Sequence, residues 1–142
     1  MDQASGNAFF KKALVIDDSE TDRYVANRIL QRYQFAEEIV LKESAQKALE
    51  YLLLLEFQPE KLPQFIFLDI RMPEMDGFGF LDEYEKLPAS IKRNCVILML
   101  STSLDSSDHQ RAMNNPYIKR FLNKPLDKAN LERLEQEFAL KK

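Results

Sequence analysis

Residues 13–16, 65–68 and 96–100 are apolar at every position, and residues 39–41 form a shorter run of the same kind. Runs of this length are too short for buried helices and read as strands. A strand with one wet face alternates apolar and polar residues; these do not, so both faces of their sheet must be covered. That points to a parallel sheet with helices on each side, the α/β class. A fifth run, residues 118–122, is broken by Lys119 and Arg120 and suits a sheet edge.

The segments between the runs carry helical signals. Ser19-Glu20-Thr21-Asp22 matches a capping box, followed by Val25, Ala26, Ile29, Leu30 and Tyr33 on one face. Ser44 opens a second helix with Ala45, Ala48, Leu49, Leu52 and Leu53 inward. A third starts near Gly77 and Gly79 and runs to Leu87, before Pro88. A fourth starts at Asp105 or Ser106 and ends around residues 114–116. Asp127 caps a fifth, whose inward face is Leu131, Leu134 and Phe138. The reading is five strands alternating with five helices in one domain over residues 11–142, after a short tail at 1–10.

Charge excludes some functions. Lys+Arg number 20 and Asp+Glu 23, a net −3, which gives no attraction to nucleic acid or to an anionic membrane surface. No pure apolar run, whether Leu52 to Leu55 or residues 96–100, comes near the length of a membrane span. The chain has one cysteine, Cys95, and no export signal, so a cytoplasmic location is the expectation.

In doubly wound sheets, sites form beyond the carboxyl ends of the strands. Here the first strand ends in Asp17-Asp18, the third in Asp69, the fourth in Ser101-Thr102 and the fifth in Asn123-Lys124-Pro125. Residues far apart in sequence therefore meet on one edge. Two unit charges ~4 Å apart repel by about 4 kcal/mol at an effective dielectric of 20, against a whole-domain stability of ~5–15 kcal/mol. Three clustered carboxylates call for a counter-charge. Oxygen-only ligands favour a hard cation such as Mg2+. A carboxylate beside Mg2+ and a lysine can act as a nucleophile toward phosphorus, giving an acyl phosphate.

The acidic pair Asp17-Asp18, the stretch "LDIRMPEMDGF" around Asp69, Ser101 and Lys124-Pro125 together resemble the receiver domain of two-component response regulators, over roughly residues 12–140. The resemblance implies a flavodoxin-like sheet of order 2-1-3-4-5. It implies that Asp69 is the phosphoacceptor, and that Asp18, Asp69 and the backbone carbonyl of Arg71 contact Mg2+, with Asp17 helping through water. Lys124 would neutralise a phosphoryl oxygen, before a cis Lys124-Pro125 bond. Ser101, or else Thr102, would supply the switch hydroxyl, and Phe121 would fill the aromatic switch position. The implied partners are a histidine kinase or histidine phosphotransfer protein upstream and an unidentified protein downstream, with a homodimer on phosphorylation as one form of output. No DNA-binding segment follows, so the expectation is a stand-alone receiver acting through protein contacts. It would be no enzyme beyond its own phosphorylation and dephosphorylation.

This sequence departs from the family in having Asn114-Asn115-Pro116-Tyr117 before the fifth strand, one residue longer than usual, where Asn can accept left-handed backbone. Two rival readings stand beside this one. A haloacid-dehalogenase-like phosphatase also uses Asp and Mg2+, but places its nucleophile after the first strand in an Asp-x-Asp pattern. A phosphorylation-independent interaction module would not need the full residue set. Other residues have plainer readings: Arg71 a solvent-facing guanidinium near the mouth with Ser103, His109 a solvated helix residue, Cys95 a small buried group, Met72 and Met75 packing. Phe121 alone reads equally well as core.

Overall fold

A computed structural model describes residues 9–102 and 105–139. Five strands, β1 (Phe10–Ile16), β2 (Ala36–Lys42), β3 (Phe65–Leu68), β4 (Val96–Ser101) and β5 (Ile118–Asn123), form one parallel sheet in the order β2-β1-β3-β4-β5. Among the described residues the helices are α1 (Glu20–Tyr33), α2 (Ala45–Leu54), α3 (Gly77–Glu85), α4 (Ala89–Lys92), α5 (Ser106–Met113) and α6 (Lys128–Ala139). A single 3-10 turn, Pro59–Lys61, lies in the loop before β3. None of these helices is long and apolar enough to cross a membrane.

Among the described residues there are six helices where the sequence pattern predicts five. The added α4 is one turn after Pro88, and four residues carry no readable periodicity. Correspondingly, α3 stops at Glu85 rather than Leu87.

Alternation along the strands divides the core in two. Leu14, Ile16, Ile66, Leu68, Ile97 and Met99 pack on one face with Leu52, Phe80 and Tyr84. Ala13, Val15, Phe65, Phe67, Leu98 and Leu100 pack on the other with Leu30, Phe35, Leu131 and Leu134. Each fully buried large side chain contributes roughly 1.5–3 kcal/mol. With both faces filled, only the strand ends are left to carry polar groups.

β1 begins at Phe10, a residue only 4% exposed, earlier than the apolar run alone indicates. The strand passes through Lys11 and Lys12 because the Lys12 ammonium finds acceptors: it donates to the Tyr51 hydroxyl (2.8 Å) and the Lys61 carbonyl (2.5 Å). The turn before β5 also differs from expectation. Asn114 has right-handed backbone, and the Asn115 side-chain oxygen accepts the Tyr117 N–H (2.9 Å). A side-chain turn, not a left-handed residue, absorbs the extra length.

Candidate functional site

The site is built by strand ends held in register. Asp17 leaves β1 with its N–H donated to the Lys42 carbonyl (3.1 Å), and Asp69 leaves β3 with its N–H donated to the Ile16 carbonyl (3.0 Å). Lys124 leaves β5 with its N–H donated to the Ser101 carbonyl (2.9 Å), followed by a cis bond to Pro125. Gly77, at the start of α3, sits against the back of Asp69. A Cβ there would lie 2.6 Å from the Asp69 carbonyl oxygen, so only glycine allows α3 to start this close.

This scaffold gathers the acids. Asp17 is 2% exposed and Asp69 is 6% exposed, while Asp18 faces solvent. One carboxylate oxygen from each of Asp17, Asp18 and Asp69 lies within 4.8 Å of the others. The Lys124 ammonium donates to Asp17 Oδ2 (2.6 Å) and Asp22 Oδ2 (2.7 Å), and stands 3.4 Å from Asp69 Oδ1. The first turn of α1 braces Asp17 further. Ser19 N–H donates to Asp17 Oδ1 (3.0 Å), and the Arg23 guanidinium to the Asp17 carbonyl (2.8 Å).

The electrostatics follow from this packing. Burial, then the Asp17 charge, push Asp69 up to about 6, with Lys124 pulling the other way. Burial disfavours the Lys124 ammonium, but its bonds to Asp17 and Asp22 and the Asp69 charge outweigh that and hold its pKa above the ordinary lysine range. One ammonium thus leaves the acids under-compensated. The cluster offers oxygen ligands and no His or Cys, the donor set of a hard divalent cation.

The sequence model of the response regulator receiver domain matches residues 13–135. The chain belongs to this family. The receiver is 29% identical over 124 residues to the probable methanogenesis regulatory protein FilR2 of Methanothrix harundinacea (strain 6Ac), spanning 87% of this chain and 78% of that protein. A two-component response regulator from Cytophaga hutchinsonii superposes with a TM-score of 0.84 at 26% identity, covering 93% of this chain and 98% of that one. The receiver domain of the histidine kinase CKI1 from Arabidopsis thaliana, complexed with Mg2+ and BeF3-, superposes with a TM-score of 0.75 at 29% identity, covering 89% and 90%. As a receiver the chain is a phosphoryl-accepting signalling domain, and neither the phosphatase nor the phosphorylation-independent reading is favoured. Receiver domains bind Mg2+ at an acidic pocket and work with histidine kinases or phosphotransfer proteins.

Around the acids, the receiver places the remaining candidates as follows. Ser101 is the last residue of β4, 1% exposed and paired in register with Asn123, whereas Thr102 is exposed. Phe121 is half-buried, with the His109 ring 4.7 Å away, so His109 is a ring partner as well as an exposed helix residue. Arg71 is not a lone guanidinium: it pairs with Asp108 in the first turn of α5. Ser103 lies outside the described residues. The Cys95 thiol, pushed up to about 12 by burial, packs at Tyr84.

Two contacts escaped the sequence. Asp22 read as the far half of a capping box. Ser19 Oγ does accept the Asp22 N–H (3.1 Å), but the Asp22 carboxylate turns to Lys124 instead of back to Ser19. The Arg71–Asp108 pair likewise joins residues 37 positions apart. Neither carries a local signal.

Proposed function

We propose that Asp69 is the phosphoacceptor of this receiver. The observation that carries the reading is the convergence of Asp17, Asp18 and Asp69 oxygens within 4.8 Å, with the Lys124 ammonium 3.4 Å from Asp69. A histidine kinase or histidine phosphotransfer protein presents phosphohistidine. An Asp69 oxygen attacks phosphorus in line, the P–O bond forms, and the P–N bond breaks with its electron pair returning to the imidazole. Lys124 moves onto a phosphoryl oxygen and balances its charge.

Asp17, Asp18 and Asp69, with the Arg71 carbonyl, are the residues that would hold Mg2+. When bound, the ion supplies charge neutralisation between carboxylates and phosphoryl oxygens. The raised pKa of Asp69, due first to burial and then to the Asp17 charge, supports this fit, because Lys124 alone does not offset the two.

Output runs through Ser101 and Phe121. Ser101 reaches a phosphoryl oxygen, and Phe121 turns into the space left. This reshapes the face of α5, β5 and α6 for a downstream protein or for a second copy, as a homodimer formed on phosphorylation. Water returns Asp69 to its free state; apart from this self-directed chemistry the receiver turns over no substrate. The reading places it in the cytoplasm, where the lone Cys95 stays reduced.

Labelling by acetyl phosphate tests the acceptor. Asp69→Asn keeps the shape and should lose all label; label at the wild-type rate means another acid accepts. Beryllofluoride with Mg2+ tests the switch. Amide shifts should extend from Ser101 to Phe121, and Ser101→Ala should be labelled but respond weakly. Shifts confined to residues touching Asp69 would remove the switch and keep the acceptor.

A further inference from the structure

The Lys124 ammonium is shared unevenly. Its hydrogen bonds go to Asp17 Oδ2 (2.6 Å) and Asp22 Oδ2 (2.7 Å), while Asp69 Oδ1 stands farther off at 3.4 Å. The two close partners differ in what leaving them costs. The Asp17 side chain is 3% exposed, so abandoning it would strand a buried charge. The Asp22 side chain is 41% exposed and faces a cavity of about 220 Å3 that Val25, Thr102, Pro125 and Leu126 also line. Water can replace the ammonium at Asp22 cheaply.

We propose that Asp22 is a positioning residue that holds the Lys124 ammonium back from Asp69 in the resting receiver and releases it when a phosphoryl group arrives. This rests on Asp69 being the acceptor and deepens that reading. A free carboxylate at Asp69 carries one negative charge, against which Asp22 competes successfully. A phosphoryl group adds charge and oxygens, and the ammonium then moves to it. Asp22 thereby sets how strongly the site favours the phosphorylated state. It is no metal ligand and no acceptor; it acts through Lys124.

The test is a beryllofluoride titration at saturating Mg2+, followed by amide signals of the full chain. Asp22→Ala and Asp22→Asn should bind roughly 2- to 5-fold more tightly than wild type, the size of a half-exposed ion pair. Glu20→Gln controls for general loss of negative charge: Glu20 is exposed on the same turn of α1, and this variant should bind as wild type does. Unchanged or weaker binding in both Asp22 variants overturns the proposal, and so does equal tightening by Glu20→Gln. Should Asp22→Ala fail to fold, Asp22→Asn, which keeps the side-chain shape, decides alone. Asp69→Asn separates the two levels. If it still binds beryllofluoride as wild type does, the acceptor assignment is what has failed; if it does not bind and the Asp22 variants match wild type, only the positioning role has.

Discussion

The two ends of this sheet are made of opposite materials. At the amino ends of the strands, Phe10, Phe35, Phe65 and Phe138 form an aromatic cluster, with centroids 4.6 Å apart for Phe10–Phe65, 4.9 Å for Phe10–Phe35 and 5.3 Å for Phe65–Phe138. At the carboxyl ends, buried Asp17 and Asp69 face each other around one ammonium. The same strands serve both ends. Apolar burial at one end supplies the stability with which the other tolerates under-compensated charge.

Breaking the aromatic end should have the largest effect. Phe65→Ala should lower unfolding stability by ~3–5 kcal/mol, measured in urea, while the protein that remains folded still takes label from acetyl phosphate. A loss under ~1 kcal/mol would mean that this end is not the reservoir.

Relieving the charged end should move stability the other way. In metal-free protein Asp69 titrates near 6, above its ordinary 3.8, so the folded state holds the proton more tightly than the unfolded chain. Its ionised form is therefore a cost above pH 6, on the order of 1–3 kcal/mol. Stability is regained as pH falls through 6 and fully so below 3.8. Asp69→Asn should accordingly be the more stable protein at pH 7, and its advantage should shrink toward pH 4. A difference from wild type that stays constant over that range would contradict the raised pKa of Asp69.

Mg2+ should sharpen the contrast. It should raise the melting temperature, with about 1.4 kcal/mol for each tenfold excess over its Kd, and Asp18→Ala should remove most of the gain. Melting that ignores millimolar Mg2+ in the wild type would rule out the ligand set.

The smallest stability change belongs to Arg71→Ala. Its side chain is 63% exposed, so losing the pair with Asp108 should cost at most ~1 kcal/mol. The decay rate of the aspartyl phosphate should change by a larger factor than the folding constant; equal decay in both proteins would leave Arg71 without a kinetic role.

What was legible in the sequence is what burial on two faces imposes. β3 and β4 are apolar throughout, and their ends therefore pointed at Asp69 and Ser101. The expected β1 and β2 are short, because Lys12 and Glu38, which form an ion pair 3.7 Å apart in the amino halves of these strands, interrupt the apolar signal. The short α4 had no period to read. Asp17, Asp18, Asp69 and Lys124 were legible by position at strand ends. Asp22 was not, since its cap hydrogen bond is local and its carboxylate contact spans 102 positions. A residue that serves two neighbours displays only the nearer one in sequence.

The hydrogen bond from the Lys124 amide to the Ser101 carbonyl, described above as part of the scaffold, also sets a time scale. It joins the two backbones in register at the last rung of the β4–β5 ladder, where Ser101 pairs with Asn123. The hydroxyl and the ammonium therefore cannot approach a phosphoryl group by sliding strands. They must do so by rotation about side-chain bonds, a local motion of two groups, whereas collective rearrangements take microseconds to milliseconds. Local capture of a phosphoryl group should thus finish long before the α5 face rearranges, making the slow step of signalling the response of the surface and not the closing of the site.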